Sequence, residues 1–235
     1  MPYNIESFGI SDLGLVRGNN EDVFHEIPLH RFFVLADGMG GHNAGEIAAK
    51  EAVYHLSTSV CQIFSAEEQP DTQKSLPELI HKAILNANHW VHQLSEQKEE
   101  LNGMGTTLCC LLLHDDSLIC AHVGDSRVYR FREDLKQITA DHSLDPTSRK
   151  HVITRAIGTS PHVEPDISIT PIHPGDIHFL CSDGLTDYVS DTEISTILDT
   201  HSCITAASKK MIEIAKSKGG SDNITVLMVK VLHGS

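Results

Sequence analysis

The sequence predicts an α+β fold, on two observations. Short apolar runs of strand length and longer segments of helical periodicity fall in separate blocks rather than alternating strictly. No internal repeat, low-complexity tract or linker interrupts the 235 residues, so residues 1–235 are expected to form one domain.

Residues 5–10 read as a strand, and a polar loop follows over 11–22. Phe32-Phe33-Val34-Leu35-Ala36 is a compact apolar run of the buried-strand kind. It ends in Asp37-Gly38-Met39-Gly40-Gly41-His42, a loop whose glycines permit unusual backbone angles. Asn43 with Glu46 forms a capping-box pattern, and Ala48, Ala49, Ala52, Val53 and Leu56 carry the helix it starts to about Phe64. The polar stretch 65–75, which contains Pro70, is a loop. Leu79, Ile80, Ala83, Ile84, Ala87, Val91 and Leu94 recur at helical spacing and predict a long second helix. Segments 106–113 and 118–123 flank Asp115-Asp116 as a hairpin. Strands are expected at 128–132, 177–181 and 224–231, and helices at 192–198 and 204–216.

A formal net charge of -14 argues against nucleic acid as a partner, because phosphate backbones are bound by basic surfaces. The acidic surplus has two readings: solubility, or carboxylates gathered around cations. None of the cysteines forms a C-x-x-C pair, and Cys109 and Cys110 lie inside an apolar run, as buried thiols of a reducing compartment do. The start, Met-Pro-Tyr-Asn-Ile-Glu, has no signal-peptide pattern, and no apolar run reaches the length of a membrane span. A cytoplasmic location is therefore expected. The histidines form no H-E-x-x-H pattern, which speaks against a zinc-protease site.

The position of the acids carries the chemistry. Asp37, Asp183 and Asp222 each lie at or beside the end of an apolar segment, and glycine follows the first two. A buried, unpaired carboxylate is costly, and few basic residues lie nearby in sequence. Hard divalent cations answer the need, and a glycine carbonyl can join their ligands. Any single Asp-Gly is equally well a tight turn; the set of motifs tips the balance.

Arg17-Gly18-Asn19-Asn20-Glu21-Asp22, Asp37-Gly38-Met39-Gly40-Gly41-His42, Gly124-Asp125-Ser126-Arg127, Ser182-Asp183-Gly184-Leu185-Thr186-Asp187 and Ser221-Asp222-Asn223-Ile224-Thr225 stand in this order along the chain. Together they resemble the motifs of the metal-dependent protein phosphatases, the PPM or protein phosphatase 2C type. Val152-Ile153-Thr154-Arg155-Ala156-Ile157-Gly158 resembles a motif of the bacterial branch. The resemblance implies a four-layer αββα sandwich, two antiparallel β-sheets flanked by helices. It also implies hydrolysis of phosphoserine and phosphothreonine in proteins by a water activated between two Mn2+ or Mg2+ ions. All-oxygen ligand sets favour those metals.

Residue by residue, Asp37 matches the carboxylate that bridges two metals, and Gly38 the backbone-carbonyl ligand. Asp183 and Asp222 match ligands of the first metal; Glu21 and Asp22 match acids that bind the second metal or its waters. Arg17 matches the arginine that grips substrate phosphate. Asp125 matches an acid of a third metal site, shared with Asp183, or else is a turn acid beside Arg127. His42 either donates a proton to the leaving oxygen and contacts substrate or only orders its loop. The implied partners are phosphoproteins and a cognate serine/threonine kinase, in bacterial signalling. The alternative is a catalytically inactive relative that binds phosphoproteins or other partners; the retained acids and Arg17 argue against it.

One feature departs from the pattern. Asp141-His142-Ser143-Leu144 is followed by only seven residues before Val152, so the flap at about 143–151 is shortened. A shorter flap predicts an open cleft with weak discrimination among phosphopeptides.

Overall fold

The computed structural model describes residues 3–40, 44–65, 72–144 and 152–233. In chain order the elements are β1 (Tyr3–Asp12), β2 (Asp22–Ile27), β3 (Phe32–Met39), α1 (Ala44–Ser65), α2 (Thr72–Gln97), β4 (Gly105–Thr106), β5 (Leu108–His114), β6 (Ser117–Val123) and β7 (Arg127–Phe131). Then come β8 (Leu135–Gln137), β9 (Asp166–Pro171), β10 (Ile177–Cys181), α3 (Asp183–Thr186), α4 (Asp191–Thr200), α5 (Ile204–Ser217) and β11 (Ile224–His233).

Side-chain alternation along the strands builds the layers. On β3, Phe32, Val34 and Ala36 pack with Ala48, Ala52, Leu56, Ile80 and Ile84 of α1 and α2. Phe33 and Leu35 point the other way and meet Leu180, Leu227 and Val229 of β10 and β11. On β11, Val226 and Met228 instead join Ile194, Ile197, Ala207 and Met211 of α4 and α5. Strands apolar on both faces therefore lie between two helical layers. One sheet runs β1-β11-β10-β7-β8; the other runs β2-β3-β5-β6-β9, with β4 paired to β3. Every strand pairing is antiparallel. The predicted αββα sandwich is the observed fold.

The hairpin turns where expected: Leu113 pairs with Leu118 and His114 with Ser117, and Asp115 takes φ 48°. The second helix starts earlier than its periodicity alone predicts, at Thr72, because fully buried Leu76 extends the apolar stripe past Pro77. The Asn43 half of the predicted capping box lies outside the described residues. A complete capping box exists elsewhere: Ser190 and Glu193 close the N-terminus of α4. Strands β2, β8 and β9 lie where no strand was expected. All three are outer strands of their sheets, where polar residues blunt an exposed edge. Among the described residues, no helix is long and apolar enough to cross a membrane.

Candidate metal centre and active site

The end of β3, the turn after β6, the start of α3 and the loop before β11 converge on one cavity of about 180 Å3. Its lining is Arg17, Glu21, Asp37, Gly38, Met39, Gly40, Asp125, Ile153, Asp183 and Asp222. A larger groove of about 590 Å3 between β2 and α1 is mostly apolar and holds no such cluster of acids. Chemistry, rather than size, identifies the site.

Asp37 is fixed through its backbone. Its N–H donates to Thr107 Oγ1 at 2.9 Å, and its carbonyl accepts from Thr107 N–H and Thr106 Oγ1, each at 2.8 Å. Asp22 stands opposite Asp37 in the β2–β3 register. It is buried and lies behind the cavity rather than in its lining. Its Oδ2 accepts from Ser182 Oγ at 2.7 Å and from Thr225 Oγ1 at 2.6 Å, while Oδ1 is buried without a hydrogen-bond partner. Glu21 reaches the cavity from the adjacent position, held by its N–H donating to Asn223 Oδ1 at 2.8 Å.

Asn223 joins two loops. Its side-chain amide donates to Leu13 O at 3.1 Å and Asn19 O at 3.0 Å, and its own N–H donates to Asp222 Oδ1 at 2.8 Å. Loop 13–21, with Arg17 and Glu21, is thereby fixed to the Asp222 loop. Asn223→Ala is expected to cut kcat/KM by about 10- to 100-fold, because buried donors and acceptors on both loops lose their partner. Steady-state kinetics check this, with the circular dichroism spectrum confirming that the variant is folded.

The glycines have packing reasons of their own. A Cβ on Gly38 would fall 2.1 Å from Gly45 O, and one on Gly184 would fall 2.0 Å from Asn223 O. The second contact brings the Asp183 and Asp222 motifs directly together. At Gly184 the missing side chain is thus explained by close approach of backbones, with no ligand role needed.

Gathering these acids has an electrostatic cost. Burial pushes Asp37 well above the ordinary carboxylate range, and the negative charges of Asp22, Asp183, Asp222 and Asp125 push it further. Asp183 is raised likewise, by burial first and then by Asp125, Asp187, Asp222 and Asp22. Asp22 is raised to about 6, mainly by burial, against the pull of its two hydroxyl donors. Burial also raises Glu21, which Arg17 partly offsets. Among the described residues, Arg17 is the one cationic side chain in the lining; its Nη2 lies 2.7 Å from Asp222 Oδ2, and the side chain is 52% exposed. That guanidinium alone cannot neutralise this set. An oxygen-only donor set with excess negative charge is what Mn2+ or Mg2+ requires, so the residues fit such ions.

The structure thus brings together Arg17, Glu21, Asp37, Gly38, Asp125, Asp183 and Asp222 and sets Asp22 behind them. His42 lies outside the described residues. Arg127, two residues after Asp125, donates from Nη2 to Asp141 at 2.7 Å. The flap itself, 145–151, also lies outside the described residues. Its stem is a short ladder: Leu144 N–H donates to Val152 O at 3.1 Å and Thr154 N–H to His142 O at 2.8 Å. Thr107, Ser182, Asn223 and Thr225 are supports that the sequence reading missed. Three of them flank the acids inside the quoted motifs, and that adjacency was the available signal. Thr107 carries no such signal.

Comparison with known proteins agrees with the geometry. A family model for "Protein phosphatase 2C" matches residues 19–221. The chain is 36% identical to the serine/threonine phosphatase stp of Listeria monocytogenes serotype 4b, covering 94% of this chain and 93% of that protein. The crystal structure of the Mycobacterium tuberculosis serine/threonine phosphatase PstP/Ppp superposes with a TM-score of 0.86 at 33% identity, covering 97% of this chain and 99% of the other. The catalytic domain of the serine/threonine protein phosphatase PstP in complex with two manganese ions superposes with a TM-score of 0.84 at 34% identity, covering 97% of this chain and 98% of the other. By motif order, fold and likeness along nearly the whole length, the chain belongs to the protein phosphatase 2C family of enzymes.

Proposed function

We propose that the protein hydrolyses phosphoserine and phosphothreonine esters in proteins, using two Mn2+ or Mg2+ ions held by Asp37, Gly38, Glu21, Asp183 and Asp222. The observation that carries this reading is the convergence of those residues on one cavity with Arg17 among its lining. When bound, a close pair of divalent cations supplies an activated water and offsets charge developing on the phosphoryl group.

The chain's own residues do the rest. Asp37 is the central acid, its backbone locked by Thr106 and Thr107, and would serve as a ligand common to both ions. Asp22 supports the second ion's side of the site from behind, through its place opposite Asp37. Arg17 presents a planar donor fork at the cavity, suited to two phosphate oxygens. Asp125, beside Asp183 in the electrostatics of the site, is the candidate ligand of a third ion. Phosphoproteins made by a serine/threonine kinase in the cytoplasm are the substrates in this reading. The shortened flap leaves their selection to contacts elsewhere.

Release of inorganic phosphate from phosphoserine and phosphothreonine peptides in the presence of Mn2+ tests the proposal. Turnover is expected; tight phosphopeptide binding without release would instead mark a catalytically inactive binding module. Arg17→Ala is expected to lower kcat/KM by about 10- to 100-fold, chiefly through KM, since it loses charge-assisted hydrogen bonds to phosphate. Calorimetry should show Mn2+ affinity nearly unchanged; a large loss there with KM intact would contradict this role for Arg17.

A further inference from the structure

The Asp141-His142-Ser143-Leu144 motif has so far served only to mark the flap, yet both the backbone and the ring of His142 are engaged. Its N–H donates to Gly124 O at 3.0 Å, and its Nδ1 accepts from Gly124 N–H at 3.1 Å. One histidine therefore takes both backbone groups of one glycine. Its own carbonyl accepts from Thr154 N–H at 2.8 Å, which ties it to the flap stem. The ring is buried and stacks on His122, with centroids 4.5 Å apart.

Gly124 needs such a hold. It has φ +107°, a conformation that side chains rarely adopt, and a Cβ there would fall 2.7 Å from the Thr107 side chain. Thr107 in turn holds Asp37. The residue after Gly124 is Asp125, and the residue before Thr154 is Ile153; both line the cavity. We propose that His142 is a positioning residue: by gripping Gly124 it aims Asp125 into the cavity and fixes the flap stem to the same point. This rests on the reading of Asp125 as part of the cation-holding set.

The tautomer follows from the bonds. With Nδ1 accepting, the ring proton sits on Nε2, 3.3 Å from Asp166 Oδ2, at ion-pair distance but without hydrogen-bond alignment. Asp166 is held in turn by Arg155 Nη1 at 2.7 Å. Ligand atoms of His122, His142 and Asp166 lie within 4.8 Å of one another, a spacing that would admit a cation. The bonding speaks against one. A cation on Nε2 would require the ring to give up its only proton while Nδ1 stays engaged with Gly124, and Arg155 already balances Asp166. The cluster acts as a scaffold rather than a metal site.

His142→Asn and His142→Leu separate the bond from the bulk. The asparagine oxygen falls where Nδ1 was and can still accept from Gly124 N–H; leucine cannot. His142→Gln carries its polar atoms one position too far. Amide exchange at Gly124, read by NMR on 15N-labelled protein, reports the bond itself. His142→Leu and His142→Gln are each expected to speed that exchange at least about tenfold and lower kcat about tenfold with little change in KM. His142→Asn should stay within about threefold of the parent on both. Unchanged exchange and kcat in the leucine variant, or equal impairment of the asparagine variant, would overturn the proposal. If the leucine variant fails to fold, the comparison of asparagine with glutamine decides. Asp125→Asn serves as control: full activity there would sink the reading of Asp125, while Gly124 exchange still judges the grip of His142.

Discussion

Asp37→Asn is expected to lose at least about a thousandfold in kcat, the equivalent of some 4 kcal/mol of barrier. The effect should be this large because the negative charges of Asp183, Asp222 and Asp125 all bear on Asp37, which in the proposed reading would serve both ions at once. The same substitution should stabilise the metal-free protein near neutral pH. The folded-state pKa of Asp37 is raised, so its stabilising contribution is complete below the unfolded value and is lost as pH rises through the folded one. Once ionised, the carboxylate therefore works against the fold, and a neutral amide removes that cost. The variant should melt higher than the parent without metal, yet gain little from Mn2+. Thermal melts with and without Mn2+, beside steady-state kinetics, check both halves. Near-normal turnover by this variant would remove the bridging role.

Addition of Mn2+ to metal-free protein should raise its melting temperature strongly at pH 7.5 and weakly at pH 5.5. At a hundredfold excess over Kd the gain at the higher pH is expected to be roughly 5–10 °C. Protons and metal compete for the same carboxylates. Asp22, with its pKa raised to about 6, contributes stability that is full below 3.8 and lost as pH rises through about 6. Asp37 and Asp183 shift in the same direction. Asp12, Asp166, Asp176 and Glu193 are lowered by their basic partners and follow the opposite course, losing stability as pH falls. The melting temperature alone mixes the two sets; the difference made by Mn2+ isolates the cluster. A gain that is equal at both pH values would contradict the carboxylate site.

What was legible in the sequence has a physical pattern. Strands buried on both faces, such as Phe32–Met39 and Ile177–Cys181, declare themselves as continuous apolar runs. Asp22–Ile27 does not, because His25 and Glu26 break the pattern in a strand that pairs only with β3. Helix α2 was legible from its stripe, but its start was obscured by Pro77. The acids were legible as motifs, although nothing in those motifs signals that Glu21 lines the cavity while Asp22 turns behind it. Supports such as Thr107 and Asn223 act across separations of 70 and 202 residues, to Asp37 and Glu21, so only the folded chain reveals them.

The most direct test of the central claim is phosphate release from a phosphothreonine peptide by exhaustively chelated protein, followed by titration with Mn2+ in a calorimeter and in the same assay. The account predicts no turnover after chelation, uptake of at least two ions per chain, and recovery of activity only as the second site fills. Full activity in the chelated protein, or recovery complete with a single ion bound, would contradict it.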